Sequence, residues 1–344
     1  MEKYGYRFSF GPWNIHEGAD PFGPTVRPSV PFEQKLQTLK ELGFDAMQFH
    51  DDDAVPDLDE LSPSQIEAQA RQMKARLDDL GLVAEFVAPR LWEHPMTVDG
   101  AFTANDPKAR AYALDRAKKC ADICRYMGTD LMVLWLAREG TYLREAKDAV
   151  QATHRLLEAV NALLEYDPRL RIAIEPKPNE PMDLAYIPTI GHALALGFRA
   201  SDPARVGTLV ESAHAVLAGL DPADEMSFAL AFGKLGSVHL NDQNGLKFDQ
   251  DRSFGSVDLR RAFNQVRVLD ENRFWEVGMV GLDVKALRTQ APEVATKHLR
   301  NSLHTFLRLI EVVRSLDRQR IDELRAARDY EELDWLILKA LLGR

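Results

Sequence analysis

Eight short runs rich in apolar and β-forming residues recur along the chain, each followed by a longer amphipathic stretch, and this alternation restricts the possible folds more than any other feature. The runs fall at residues 8–13, 46–50, 83–88, 131–136, 172–176, 207–211, 237–240 and 274–277. Helical periodicity marks 31–42, 63–80, 107–127, 145–164, 188–196, 225–235, 257–269 and 292–316. Such alternation is the pattern of parallel strands joined by helical crossovers. Several helices open with a small polar residue before proline, as at Ser62-Pro63 and Asp106-Pro107, and several close at glycine, as at Gly81 and Gly128; these are the expected start and stop signals. Eight units in one chain predict an α/β fold of the (β/α)8 TIM-barrel type over residues 1–316. No G-x-G-x-x-G string follows the first run, which argues against a doubly wound nucleotide-binding sheet. Residues 317–344 are charged at first and apolar later (Leu333, Trp335, Leu336, Leu338, Leu341, Leu342), so a helical arm is expected there, folded on its own barrel or contacting another subunit.

A chain of 344 residues, 45% of them hydrophobic, can bury the core of one large barrel. Its net charge of −10 leaves no basic face for nucleic acid or an anionic membrane, whereas acidic residues gathered in a cleft would suit divalent cations. The N-terminal MEKYGYRFSF lacks a charged leader with an apolar h-region, and no apolar run is long enough for a bilayer; a cytoplasmic location is expected. Cys120 and Cys124 share a helical face without C-x-x-C spacing, which points to ordinary burial.

In a barrel of this kind the active site lies at the carboxyl ends of the strands. The polar and aromatic residues expected there are His50, Asp53, Trp92, Trp135, Glu175, Lys177, Glu211, His214, His239 and Glu276, with Asp249 and Asp251 from the loop in VHLNDQNGLKFDQD. Carboxylates and imidazoles on neighbouring strand ends repel or lose hydration unless a cation joins them. Oxygen-rich ligands with one or two imidazoles suit Mg²⁺, Mn²⁺ or Co²⁺. His154, His192, His298 and His304 lie in helical runs and read as packing residues; Asn179 and Glu180 read as turn-shaping, and Arg138 and Glu139 as a pair near the mouth.

Several strings resemble the xylose (glucose) isomerase family, metal-dependent aldose–ketose isomerases built on a TIM barrel. They are FHDDD (49–53), FTAND (102–106), W-x-x-R-E-G from Trp135, IEPKPNEP (174–181), PTIGHALA (188–195), AGL (218–220) and QNGLKFDQD (243–251) followed by DLRRAF. The resemblance implies that His50 assists sugar ring opening, with Asp53 orienting and charging its imidazole, and that Lys177 contacts the carbonyl end of the open sugar. Trp92, standing where the family usually has Phe, and Trp135 would be walls of the sugar pocket. Phe22, in a shared DPFG string, would reach into a neighbouring subunit's site in a homotetramer or homodimer. Glu175, Glu211, His239 and Glu276 would hold one cation, and Glu211, His214, Asp249 and Asp251 a second. The implied reaction is ring opening and a metal-assisted hydride shift on a small sugar, needing no nicotinamide.

The sequence departs from the family at two ligands. His239 replaces an Asp, and FWEVGM stands where the family has HFDFKP, leaving Glu276 as the nearest carboxylate. A neutral imidazole in place of an anion inclines the site toward Mn²⁺ or Co²⁺. The set Glu175, Glu211, His239, Glu276 also resembles that of ketose 3-epimerases, in which flanking glutamates exchange protons through an enediolate. A third reading is a catalytically inactive barrel that binds sugar or serves an assembly.

Overall fold

In the computed structural model, which describes residues 2–343, eight parallel strands close into a barrel: β1 (Phe8–Phe10), β2 (Ala46–His50), β3 (Val83–Ala88), β4 (Leu131–Trp135), β5 (Arg171–Glu175), β6 (Val206–Glu211), β7 (Leu235–Leu240) and β8 (Val280–Leu282). Each strand pairs with its neighbours in sequence, and β8 returns to β1 with Phe8 opposite Val280. Burial on both faces explains why the strands read as continuous apolar runs rather than alternating ones. Long helices cover the outside. Pro63–Leu80 starts on a Ser62/Gln65 capping box and stops at Gly81 in the left-handed region, φ 67°; Pro107–Met127 is capped by Asp106 and ends at Gly128, φ 81°. Cys120 and Cys124 are free and buried on the inner face of that second helix.

Seven of the eight expected strands lie where their apolar runs place them, and the eighth does not. Residues Phe274–Glu276 form a 3-10 turn, and the strand is the run Val280–Leu282 that follows. Only Phe274 of the turn is buried; Trp275 lies edge-on to Tyr6 at 5.4 Å, outside the barrel wall. The true strand is short and carries Gly281, where a Cβ would come within 2.6 Å of the Val238 carbonyl oxygen, so the position excludes the β-branched residues that make a strand conspicuous.

The seam between β1 and β8 is held from outside the barrel. Asn14 accepts the Val284 N–H at 2.7 Å, and His298, buried in the helix Lys297–Ser315, donates from Nε2 to the Asn14 carbonyl at 2.9 Å. After that helix, Arg318–Ala327 and Tyr330–Leu341 turn back onto the same chain. Ile321 and Ile337 join the core, and Arg260 pairs with Asp334 at 3.0 Å. Trp335, Leu338 and Leu342 remain exposed on the outer side. Among the described residues no helix is long and apolar enough to cross a membrane.

Burial pushes the His298 imidazole down to about 4 from an ordinary 6.5. Because the folded value lies below the unfolded one, the contribution of the neutral ring is complete above pH 6.5 and is lost as the pH falls toward 4. Urea titrations across this window should show acid destabilisation of the parent that His298→Gln lacks, a difference amounting to roughly 3 kcal/mol. Parallel pH profiles for the two proteins would remove His298 as the cause.

Candidate active site

Parallel register places the acidic cluster. Glu175 and Glu211 are the last residues of β5 and β6, and His239 is the penultimate residue of β7, paired in register with Glu211. The helix Ser212–Leu217 begins immediately after Glu211, so His214, three residues on, faces back over the same strand end. Its Nε2 lies 3.3 Å from Glu211 and 3.1 Å from Asp249. The His239 Nδ1 lies 3.1 Å from Glu175, 3.7 Å from Glu211 and 3.8 Å from Asp283. Asp249 and Asp251 come from a loop braced by Gln243, which accepts the Gln250 N–H at 3.0 Å and donates to the Gly245 and Phe248 carbonyls. Asn241 ties the two parts together, donating to Glu211 at 2.8 Å and to Asp251 at 3.1 Å.

Glu276 is not part of this cluster. It lies ahead of β8, at the opposite end of the barrel, half-exposed and paired with Arg273. The carboxylate that β8 delivers is Asp283, one residue past its end. Asp283 accepts the indole N–H of Trp13 at 3.0 Å, and Lys285, two residues on, pairs with Asp251. The D-V-K string after a buried V-G-L run was the available signal, obscured by the more β-like FWEV upstream.

The cluster carries more negative charge than its protein cations balance. Burial pushes the Glu211 carboxyl up to about 7, with Asp249 adding repulsion and His214 opposing it. Burial and Asp249 push Asp251 to about 7; burial and Glu211 push Asp283 to about 6. Burial acts to lower the His214 imidazole, but Glu211 and Asp249 hold it up at about 9. His239 likewise stands well above its ordinary value, burial being outweighed by Glu175, while His239 draws Glu175 down to about 2 against its burial. Protons thus balance the charge in the protein alone.

A divalent cation would balance it without them. Three groups of ligand atoms lie within 4.8 Å of one another: Glu175, Glu211 and His214; Glu211, His239 and Asp283; Glu211, Asp249 and Asp251. Glu211 belongs to all three. Asp249 Oδ1 is buried with no hydrogen-bond partner, and carboxylate oxygens with imidazole nitrogens are the donor set of a Mg²⁺, Mn²⁺ or Co²⁺ site. The residues therefore fit a divalent cation.

Across a cavity of about 670 Å³, lined by both groups, stands His50. Its backbone N–H donates to Asp53 at 3.0 Å, which closes the short helix Asp51–Ala54 and sets Asp53 3.1 Å from the His50 Nδ1. Buried Asp51 anchors this turn to Arg116 through contacts of 2.8 and 2.9 Å. Trp13 lies over the His50 ring, centroids 4.3 Å apart, and Trp92 meets it edge-on at 5.1 Å. Trp92 in turn meets Trp135 at 4.5 Å. Lys177 pairs with Asp249 at 2.9 Å and Glu180 at 3.2 Å, so Glu180 belongs to the site wall as well as to its turn. Phe22 is 82% exposed, its ring against Phe248 of the same loop that carries Asp249. Arg138 and Glu139 do not pair: Arg138 donates to the Trp92 carbonyl at 3.2 Å, and buried Glu139 accepts the N–H groups of Phe102 and Thr103. Trp13, Arg90, Asn241, Asp283 and Lys285 were not recognised as site residues in the sequence.

A closed parallel barrel with carboxylates and imidazoles at its strand ends defines the class. The xylose isomerase-like TIM barrel model matches residues 36–288, and the chain belongs to that family. Among solved structures it is similar to 3-keto-D-glucoside 4-epimerase from E. coli (TM-score 0.61, 16% identity, 88% of this chain and 99% of that one). It is similar also to D-psicose 3-epimerase with D-tagatose from Clostridium cellulolyticum H10 (0.61, 12%, 89% and 99%) and to a xylose isomerase domain protein from Planctomyces limnophilus (0.57, 14%, 90% and 98%). At these identities the likeness establishes the fold.

Adding Mn²⁺ to chelator-treated protein should raise its melting temperature, by the equivalent of about 2.7 kcal/mol at a hundredfold excess over the dissociation constant. Glu211→Ala should abolish the rise, and Glu276→Gln should leave it intact. A rise lost in Glu276→Gln would restore that residue as a ligand.

Proposed function

We propose that the protein is a divalent-cation-dependent aldose–ketose isomerase that opens a cyclic sugar and moves a hydride between its first two carbons. One observation carries this reading: Glu211 belongs to each of three groups of ligand atoms, with Glu175 and His214, with His239 and Asp283, and with Asp249 and Asp251. On this reading Glu175, Glu211, His239 and Asp283 would hold one divalent cation and Glu211, His214, Asp249 and Asp251 a second, the His239 imidazole favouring Mn²⁺ or Co²⁺. A cation bound there supplies Lewis-acid polarisation of the sugar's hydroxyl and carbonyl oxygens.

The remaining work falls to side chains. Trp13, Trp92 and Trp135, all lining the cavity, offer apolar walls for the carbon faces of the sugar. His50, with Asp53 behind it, meets the end where the ring opens. In the open chain the C2–H bond breaks with its electron pair moving to C1, while the proton of the C2 hydroxyl ends on the C1 oxygen. Substrate and product are isomers, so no external redox partner is consumed. Burial acts to lower the Lys177 amine, but Asp249 and Glu180 hold it above the ordinary lysine value. It remains a cation able to donate to the C1 oxygen as negative charge gathers there.

A second reading, ketose epimerisation by proton transfer, draws support from the placement of Glu175 and Asp283 around the His239 Nδ1 at 3.1 and 3.8 Å and from the two epimerases of the same fold. Its second carboxylate is then Asp283, since Glu276 lies outside the site. The proposal also includes a homodimer or homotetramer in which a neighbouring subunit covers Phe22 and the exposed side of the C-terminal helices.

Incubation with aldoses and ketoses in D₂O, with Mg²⁺, Mn²⁺ and Co²⁺ separately, distinguishes the two. Interconversion without carbon-bound deuterium is expected; deuterium at the reacting carbon with ketose epimerisation would replace the hydride shift with proton transfer. Lys177→Met should lower kcat by about 10²–10³-fold, the scale seen on removing one donor from a developing oxyanion, and unchanged kcat would remove Lys177 from the chemistry.

A further inference from the structure

The Arg90 guanidinium, two residues past the end of β3, reaches the back of the His50 ring. It donates to the His50 Nδ1 at 2.8 Å. The other nitrogens of the fork are tied down independently, Nε to Asp52 at 2.8 Å and Nη1 to Glu93 at 3.4 Å, while the Nη2 that meets His50 also reaches the second oxygen of Asp53 at 3.4 Å, with the guanidinium 5.7 Å over Trp92.

Arginine has donors only and does not give up its proton in proteins. A guanidinium at 2.8 Å therefore requires a lone pair on Nδ1. Asp53 stands 3.1 Å from the same atom and would require the opposite, an N–H. The two demands are exclusive. Asp53 does not depend on the imidazole proton: one oxygen accepts the His50 backbone N–H at 3.0 Å and the other faces Arg90. Turning the ring over would set a carbon against the guanidinium and forfeit the shorter contact. A doubly protonated ring would set two donors of like charge face to face.

We infer that Arg90 is a positioning residue that fixes His50 as the Nε2–H tautomer. The Nε2 edge is the one left for the cavity. A ring with Nδ1 occupied and Nε2 protonated presents no lone pair there. Resting on the isomerase reading, His50 then meets the sugar as a hydrogen-bond donor to an oxygen, as a neutral electrophile and not as a base. This differs from the arrangement implied by the family resemblance, in which Asp53 orients and charges the imidazole through Nδ1.

Imidazole ¹⁵N spectra of the full chain with Mg²⁺ present read the tautomer directly, because protonated and unprotonated ring nitrogens resonate far apart, and His50→Gln identifies the signals. Nδ1 should be unprotonated and Nε2 protonated in the parent. Arg90→Met should exchange the two, and Asp53→Asn should leave them as they are, which keeps the test decisive if the first variant folds poorly. A protonated Nδ1 in the parent, a pattern indifferent to Arg90→Met, or an exchange in Asp53→Asn would each overturn the inference. An inactive protein with the expected tautomer would count against the isomerase reading alone; an active isomerase with Nδ1–H would count against the role of Arg90 alone.

Discussion

Five carboxylates, Glu175, Glu211, Asp249, Asp251 and Asp283, share the buried end of one barrel, and the rest of the site is arranged around that repulsion. Removal from water makes each charge costly, and proximity adds to the cost. The chain supplies partial answers: Lys177 and Lys285 against the loop aspartates, His214 and His239 between carboxylates, and the Asn241 amide joining Glu211 to Asp251. None of these neutralises Glu211, which sits between both sets and retains a strongly raised carboxyl value. A cation that meets Glu211 relieves both sides together. The same cluster explains why β5 and β6 end on glutamates and β7 carries His239 one residue before its end, where stability alone would favour apolar side chains.

The opposite wall obeys a different physics. His50 is held by aromatic faces and by a turn in which backbone and side chain satisfy each other, with Asp51 and Arg116 buried beneath it. Trp13 links the two halves, its indole N–H on Asp283 and its ring over His50. A sugar in the cavity would have a polar, charge-rich side and an apolar, donor-lined side, which is the division a polyhydroxyl chain with two carbon faces requires.

Much of this was legible in the sequence, and the failures have physical causes. Strand ends could be read because parallel strands buried on both faces are continuous apolar runs, and placing Glu175, Glu211 and His239 needed only the period of the fold. His214 was placed with Glu211 at the sixth strand end, and Asp249 and Asp251 came from a recognisable loop string. Glu276 was misplaced because FWEV has higher β-propensity than the three-residue V-G-L strand, whose glycine is imposed by the Val238 carbonyl across the sheet, a constraint that exists only once the barrel is closed. Arg90 was invisible for a related reason: its contact with His50 spans two strands and depends on side-chain reach. Glu139 was assigned the wrong partner because a neighbouring arginine is the obvious choice locally, while the backbone N–H groups it accepts lie far back in the chain.

The β1–β8 seam has a consequence for how such a chain is made. β1 emerges first and cannot find its second neighbour until β8, some 270 residues later, has left the ribosome. Through that interval one of its edges is an unpaired template for wrong partners. The residues that finally meet there, Asn14 with Val284 and Trp13 with Asp283, include the last carboxylate of the cluster and the wall that bears on His50. Pairing β1 with β8 is therefore also what brings Asp283 against Trp13 and into the cluster.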